Sequence, residues 1–425
     1  MNFNSEIEKF FFFNLPVILF SLIPFFLITG PFLSDLSVSL ISLLFLIYCS
    51  TKKNFSYFKN RYFYLFLIFW IYLMFNSLVN NINFDSLKIS FFYFRYGVFV
   101  IAIASLMEAD DKFIKYLFYC IFLCFSVLII DGFYQYFIGK NILGHKNIDI
   151  QRVSSLFGNE SILGSYLSRL WPIFFGLSIF FFKTKDRLFF VLILIFILSE
   201  VLIFLSGERV AFFYINLSAI FVIIFSRSLF KLRLITLVCS LLLLLIISYF
   251  NPTAKERIID KTLVQMNLTN EKNKIIEETY IFSEGYTHHY ISAYKMFLDN
   301  KFLGVGVKNF RNFCSDERYK SAHACATHPH NTYIQMLSET GIIGFLFLIF
   351  VLFYFCKFVI KHLIFRFKQK YYFTDFEICL LSGVAIYLWP FVPTGSIFNN
   401  WLNITLYLYL PLLYWSRNQS INVNI

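Results

Sequence analysis

Charged residues are scarce in this chain of 425 residues: they make up 15% of it, whereas 58% of the residues are hydrophobic and the mean hydropathy is +0.67. Soluble globular domains have about 25% charged residues and are roughly half apolar. The composition therefore excludes an ordinary soluble protein and is typical of a polytopic membrane protein. A cleavable signal pattern is also missing, because no small-residue cleavage site follows the first apolar run, so we expect that run to remain as a spanning segment.

The apolar residues are gathered into long runs separated by polar segments. A spanning helix needs about 20 mostly apolar residues, and we find about twelve such runs. The predicted spans are 10–29, 34–50, 61–79, 89–107, 113–131, 161–182, 188–206, 209–226, 231–250, 333–356, 376–393 and 397–415. The predicted fold is an all-α polytopic membrane protein with about twelve transmembrane helices. Its parts are helices 1–9 in residues 1–250, one large periplasmic loop or lid in 251–332, and helices 10–12 with a cytoplasmic tail in 333–425.

Basic residues, which give the chain a net charge of +12, lie mostly in alternate loops. One such loop carries Arg227, Lys231 and Arg233, and the segment 357–370 carries five more lysines and arginines. Lysine and arginine mark the cytoplasmic side of a membrane protein. Both termini are then inside and 251–332 is outside. The positive charge is an orientation signal, so we expect no nucleic acid among the partners.

Cysteines are few, eight in all, and only Cys314 and Cys325 fall in the predicted outer lid. A disulfide between them fits an oxidising periplasm. The alternative is two unpaired thiols, since the geometry of the pair does not follow from the sequence.

Several chemically capable residues are predicted to share the outer face. His328, His330 and Asn331 precede the tenth helix, Arg209 lies in the turn between the seventh and eighth, and Arg257 follows the ninth. Asn331 is a good N-cap, and a helix start suits anions. Guanidinium groups match phosphate oxygens, and an imidazole can orient a hydroxyl or accept its proton. This combination indicates a lipid-linked diphosphate as ligand.

Each of these residues has a plainer interpretation. Arg209 could be an interfacial anchor, Arg257 a solvated loop charge, and His330 a helix-end residue bonded to a carbonyl. A zinc site is a further alternative, although none of the spacings is a strong zinc pattern and we expect no metal and no cofactor. The residues that could contribute to it are His288, His289, His323, His328, His330, Cys314 and Cys325.

Four charged residues, Arg95, Asp131, Arg169 and Glu200, lie in or at the ends of apolar runs. Such residues usually face an interior cavity and pair with each other. Their pairing is as compatible with a structural role as with chemistry, and it keeps a transporter among the alternatives.

Three motifs together resemble the O-antigen ligase and O-antigen polymerase family of bacterial inner-membrane proteins. They are "HPHNTYIQMLSETGIIGFL", "LSGERVAFF" and "RVSSLFGNESILGSYLSR", and the stretch "YKMFLDNKFLGVGVKNFRNFC" adds to them. The resemblance covers most of residues 130–360. It implies a metal-independent glycosyltransferase that uses glycans linked to undecaprenyl diphosphate.

The resemblance also implies roles for individual residues. Arg209 and Arg257 would hold the diphosphate, and His330 would position or deprotonate the acceptor hydroxyl. His328, Asn331 and Glu339 would support the site. Gly341 and Gly344 would allow close helix packing beside it. Direct attack on the sugar–phosphate bond implies inversion at the anomeric carbon.

The motifs leave the acceptor open. A ligase would transfer the polysaccharide to lipid A–core, which is the interpretation we favour, and a polymerase would transfer it to another lipid-linked repeat unit. A polysaccharide flippase or transporter is the alternative from a different class, but it leaves the histidine cluster under the lid unexplained.

The predicted topology can be tested with reporter fusions. The loop charges require 251–332 to be outside and 357–375 inside. A reporter that works only in the periplasm should therefore be active when fused after Asn273 and inactive when fused after Lys368. If a reporter that works only in the cytoplasm were active after Asn273, the predicted orientation would be wrong.

Overall fold

The computed structural model describes residue 3 and residues 5–80, 84–147, 152–182, 187–250, 255–260, 263–264, 283–322 and 325–423. Over these residues the chain is helical, and the only β-type pairing is an isolated bridge between Lys140 and Lys146. The main helices are α1 Glu6–Thr29, α2 Pro31–Thr51, α3 Arg61–Asn80, α4 Phe84–Phe92, α5 Phe94–Ala109, α6 Ile114–Ile138, α7 Leu163–Phe181, α8 Arg187–Leu205, α9 Arg209–Phe225, α10 Phe230–Phe250, α11 Glu284–Asp299, α12 Thr332–Phe367, α13 Asp375–Leu388, α14 Asn400–Tyr407 and α15 Tyr409–Val423. The all-α prediction is confirmed.

Every predicted apolar run contains a helix, and among the described residues eight helical stretches are long and apolar enough to span a membrane. They are Glu6–Thr29, Pro31–Thr51, Arg61–Asn80, Phe84–Ala109, Asp111–Ile138, Arg187–Leu205, Phe230–Tyr249 and Thr332–Phe367, with Arg209–Phe225 as a shorter apolar helix. The remaining helices include α7 and α13, which pack against each other and are buried along most of their length. A helix surrounded by protein does not need a wholly apolar surface, and α7 accordingly contains Arg169 and Pro172.

Some helix ends differ from the sequence prediction. The run 113–131 continues as helix α6 to Ile138, where Gly139 takes the left-handed conformation (φ 82°) that commonly ends a helix. The run 397–415 is divided at Leu408 into α14 and α15. The run 333–356 extends to Phe367 in α12. Apolar content fixes where a helix lies in the sequence, whereas its ends depend on capping.

The charged residues of the apolar runs are partnered, but not with each other. Arg95 forms an ion pair with Asp35, and Glu200 pairs with Arg233 at 2.5 Å. Arg233, which the loop pattern assigned to the cytoplasmic side, is fully buried in this pair. Asp131 accepts hydrogen bonds from Ile142 N at 2.8 Å and Ser155 Oγ at 2.6 Å, and Arg169 lies over the rings of Tyr214 and Tyr387 at 5.0 and 4.6 Å.

Helix α11 lies in the long polar segment, where Tyr290, Ala293, Tyr294, Phe297 and Leu298 recur at the spacing of three and four residues that predicts a helix. Its buried face contains Tyr290 and Ala293 together with His289 and Met296. Tyr294 and Leu298, which belong to the same apolar pattern, are exposed. Below this face Phe310 and Cys314 complete a small apolar cluster. The structure places a disulfide between Cys314 and Cys325, with Cα atoms 5.0 Å apart.

Helix α12 is broken at Gly341, whose φ of 63° and ψ of −167° lie in a region that is essentially restricted to glycine. The segment after α11 docks into the break. Ile342 N donates to Lys301 O at 2.8 Å, Val305 N donates to Ser338 O at 2.9 Å, and Gly306 N donates to Glu339 O at 2.9 Å. The predicted close approach at Gly341 is therefore between backbones, and the glycine-rich sequence "FLGVGV" is the partner.

Gly341→Ala should destabilise the protein by about 1–3 kcal/mol from backbone conformation alone. A Cβ at this position would also lie 2.2 Å from Phe302 O, which belongs to the backbone and has little freedom to move. Gly285→Ala is the matched control, because a Cβ added there would meet nothing within 4 Å. Thermal unfolding in detergent should show a loss for Gly341→Ala only. Equal stability of the two variants would mean that α12 tolerates a regular helix here.

Candidate active site

The first turn of α12 begins at Asn331, as the sequence predicts. The Asn331 side-chain oxygen accepts hydrogen bonds from Tyr333 N at 2.9 Å and Ile334 N at 3.1 Å. Its side-chain nitrogen donates to Pro390 O at 2.9 Å. Asn331 thus caps the helix and also ties it to the 389–399 loop, which follows α13. Because the Asn331 side chain already accepts hydrogen bonds from these N–H groups, the start of α12 is less suited to binding an anion than the sequence led us to expect.

His330 lies directly before this cap, with a left-handed backbone (φ 55°) that is uncommon for a residue other than glycine. Its carbonyl accepts a hydrogen bond from Thr394 N at 2.8 Å, so the same loop holds its backbone in place. The half-buried imidazole lies next to three rings, with centroid distances of 4.1 Å to His328, 5.2 Å to His289 and 5.3 Å to Tyr286. No hydrogen bond to this imidazole comes from the part of the chain that the structure describes.

Both histidines of the H-x-H motif are held neutral. Burial lowers the pKa of His330 to about 3, with smaller contributions from His328 and His289. Burial likewise lowers the pKa of His328 to about 4, and the positive charges of Arg311 and Lys308 add to the effect. At neutral pH the His330 imidazole is therefore unprotonated and has a lone pair available, although so low a pKa makes it a weak proton acceptor.

His328 differs from His330 because both of its ring nitrogens are occupied. Its Nε2 lies 3.2 Å from Thr394 O, and its Nδ1 lies 2.9 Å from Thr327 Oγ1. A carbonyl can only accept, so Nε2 donates and Nδ1 accepts from the hydroxyl. His328 is thus a positioning residue, and His330 is the imidazole available to a substrate.

The turn that carries Arg209 joins two of the sequence motifs. Glu208, next to it, accepts hydrogen bonds from Gly164 N at 2.6 Å and Ser165 N at 2.9 Å, at the start of α7. Arg152 Nε donates to Ser206 O at 2.9 Å in the same turn. Burial raises the pKa of Glu208 to about 7, although these hydrogen bonds and nearby arginines oppose the shift. The motifs "RVSSLFGNESILGSYLSR" and "LSGERVAFF" therefore form one structural unit.

Arg209 is the first residue of α9, and Glu208 makes no side-chain cap bond to that helix. The start of α9 therefore presents a guanidinium group together with a positive helix end, which suits an anion. The next residue, Val210, packs on a cluster containing Val392. Two residues later in the same loop, Thr394 bonds to His330. The 389–399 loop thus contacts both the residue that follows Arg209 and the backbone of His330.

Glu339 links the lid to α12. Its carboxylate accepts hydrogen bonds from Lys308 N at 3.0 Å, Phe310 N at 3.1 Å and Gln335 Nε2 at 2.9 Å. The side-chain oxygen of Gln335 also accepts a hydrogen bond from Ile397 N at 3.1 Å. The predicted supporting role of Glu339 is thus to fix loop backbones. Sequence reasoning missed Gln335, although its spacing of four from Glu339 places both on one helix face.

The side chains of two residues that the sequence analysis named lie outside the described residues. Arg257 lies in the short helical turn Glu256–Asp260, but its side chain is outside the described residues, and so is the whole of His323. In the described ranges, no group of three histidine, cysteine or acidic side chains is arranged to hold a metal ion. Arg152 and Lys308 are basic residues near the site that sequence reasoning did not single out.

Fold and site together define a multi-pass helical membrane protein in which one loop contacts both the histidine motif and the turn that carries Arg209. Residues 188–349 match the family model described as O-antigen ligase, which confirms the resemblance over this part of the chain. The match extends from α8 into α12 and includes Arg209, His330 and Glu339. It supports an O-antigen ligase-type function. No curated protein matches the chain.

The lowered pKa of His330 predicts the pH dependence of glycan transfer. Protonation would remove the proton acceptor, and with a pKa of about 3 this happens only at strongly acidic pH. The plot of kcat/KM against pH, which reports the free enzyme, should therefore lack an acid limb near the ordinary histidine value of about 6.5.

Glu208, with a pKa of about 7, could also titrate in this range, and Glu339 is a second buried carboxylate in the site. Glu208→Gln should remove any limb that belongs to it. A limb near 6.5 that persists in both Glu208→Gln and Glu339→Gln would mean that His330 titrates there and is less buried than the structure indicates.

Proposed function

We propose that this protein is an O-antigen ligase of the bacterial inner membrane, which transfers a polysaccharide from undecaprenyl diphosphate to lipid A–core at the periplasmic face. In this proposal the chain crosses the membrane about twelve times, with both termini inside and 251–332 as a periplasmic lid over the site. The positions of the basic loops and the long apolar helices support this orientation.

The donor diphosphate binds at the turn before α9 in this scheme. Arg209 supplies a planar guanidinium fork, which matches phosphate oxygens in a way that a lysine cannot. The uncapped start of α9 adds a positive helix end at the same residue. Arg257 is the second proposed diphosphate ligand, on the strength of its place in the family pattern, and Arg152 lies against the same turn.

His330 is the proposed catalytic residue. The acceptor hydroxyl oxygen forms a bond to the anomeric carbon of the donor sugar while the bond from that carbon to the phosphate oxygen breaks. The hydroxyl proton passes to the neutral His330 imidazole, and the bonding electrons leave with undecaprenyl diphosphate. Negative charge grows on the leaving oxygen, where fixed arginines stabilise the transition state most. A single displacement inverts the anomeric carbon and requires no metal ion.

The observation that carries this proposal is the state of His330. Its imidazole is neutral, it receives no hydrogen bond from the described residues, and its backbone is held in an uncommon conformation by the loop that also packs on Val210, the residue after Arg209. Residues kept in such conformations cluster at active sites. A flippase needs no such group. A polymerase uses the same chemistry with a lipid-linked repeat unit as acceptor, and it is the second candidate because the family motifs are shared.

His330→Asn tests the catalytic role without disturbing the backbone. Asparagine tolerates the left-handed region, whereas other residues there cost roughly 1–2 kcal/mol. The rate of glycan transfer by purified protein in vesicles should fall about 10²–10⁴-fold, the usual contribution of a positioned base. Arg209→Lys should also lose most activity because an ammonium group cannot form the bidentate contact.

The matched control is His288→Asn, which removes a lid imidazole that bonds to Ser321 at 2.7 Å and should leave the rate near normal. EDTA should have no effect. Offering lipid A–core and a lipid-linked repeat unit as separate acceptors distinguishes ligase from polymerase. Wild-type rates in both His330→Asn and Arg209→Lys would refute the proposed site.

A further inference from the structure

A second polar site lies beside the candidate active site. It is a cavity of about 580 Å³ between α2, α4, α5, the start of α14 and the lid segment 308–312. This volume is within the range of about 300–1,000 Å³ that is usual for ligand pockets. The lining residues are Asp35, Asp85, Ser86, Lys88, Ile89, Phe92, Tyr93, Arg95, Tyr96, Lys308, Arg311, Asn312, Phe398 and Asn400.

The cavity carries an excess of positive charge. Arg95 is neutralised by its ion pair with Asp35. Among the described residues, Lys88, Lys308 and Arg311 form no ion pair, and Asp85 is the only other acid in the wall. Like charges that converge on a partly enclosed space repel each other unless an anion joins them. An anionic ligand would therefore be favoured here.

The wall also has the groups that a saccharide needs. The side-chain amides of Asn312 and Asn400 can hydrogen-bond to hydroxyls, and the buried rings of Tyr93, Tyr96 and Phe398 form the apolar floor behind them. Phosphate binding by the cations and hydroxyl binding by the amides are compatible with one ligand, a phosphorylated saccharide headgroup.

The cavity is linked to His330 by two connections. The first is the Glu339 carboxylate, which accepts hydrogen bonds from Lys308 N and Phe310 N. Glu339 lies eight residues after Asn331 on α12, which is about 12 Å along the helix at 1.5 Å per residue. The second connection is the 389–399 loop and its continuation. Its Val392 packs with Val210 beside Arg209, its Thr394 holds His330, and its end supplies Phe398 to the cavity wall.

The 389–399 loop and its contacts therefore connect His330 with two basic places, the Arg209 turn and the cavity. None of the cavity-lining residues belongs to the Arg209 turn. We propose that the cavity binds the anionic headgroup of the acceptor, a phosphorylated saccharide lipid, and presents its hydroxyl to His330 while the donor diphosphate occupies the Arg209 turn. This proposal rests on the proposed transferase function.

The test uses Lys88→Gln and Arg311→Gln, separately and together, in the full-length protein. Both side chains are exposed at the cavity rim, and they come from different elements, so a folding defect in one does not compromise the other. Arg318→Gln with Lys320→Gln is the charge-matched control, because it removes two exposed lid cations that lie outside the cavity.

Binding is measured without turnover, with phosphorylated lipid A–core, its dephosphorylated form, and an undecaprenyl diphosphate oligosaccharide as probes. The double variant should bind the phosphorylated acceptor about tenfold or more weakly, since each lost contact is to a charged group. The dephosphorylated form should bind weakly to wild type and be unaffected by the variants. In the transfer assay KM for the acceptor should rise while kcat and KM for the donor stay constant.

The probes also identify the source of the phosphate. Selective loss of lipid A–core binding indicates a ligase acceptor, and selective loss of binding of the oligosaccharide offered as acceptor indicates a polymerase acceptor. A rise in KM for the donor alone, an equal effect in the control, or unchanged binding would overturn the assignment of the cavity. If the wild type transfers the glycan and the variants bind the acceptor normally, only the assignment of the cavity is refuted. If the wild type binds the acceptor but transfers nothing, the proposed function is refuted.

Discussion

A buried carboxylate at a break in a helix holds the candidate site together. Glu339 is fully buried and is stabilised by the backbone N–H groups of Lys308 and Phe310 and by Gln335. A buried charge without such partners would be very costly, so the lid segment and α12 must assemble together. Gly341 makes this assembly possible, because only glycine readily adopts its backbone conformation where another chain segment approaches so closely.

One loop also fixes the position of the reactive groups. The 389–399 loop is fixed by Asn331 and Gln335 on α12, and it fixes His330 in return through Thr394. Catalytic groups have to be held closely in position, and sites supported by packed helices achieve this better than isolated loops do.

The membrane-embedded charges follow the same principle of local compensation. Glu200 is paired with Arg233 and accepts a hydrogen bond from Ser240, and the Arg233 guanidinium lies 4.4 Å from the Trp171 ring centroid. Arg169 lies between two tyrosine rings. Ion pairs of this kind are weak evidence for stability, but removing one partner leaves an uncompensated charge and is strongly destabilising. These residues are parts of the helix packing that supports the site.

The sequence by itself determined the helices, the cap at Asn331, the family motifs and the set of candidate residues that included His330 and Arg209, because apolar runs and caps are local signals. It did not determine which charged residues pair or which face of α11 is buried. Nor did it reveal that Glu208 holds α7, that Glu339 holds the lid, or that Lys88 and Arg311 share a cavity. Those contacts join residues far apart in the chain, and only the packing of the helices decides which of them meet.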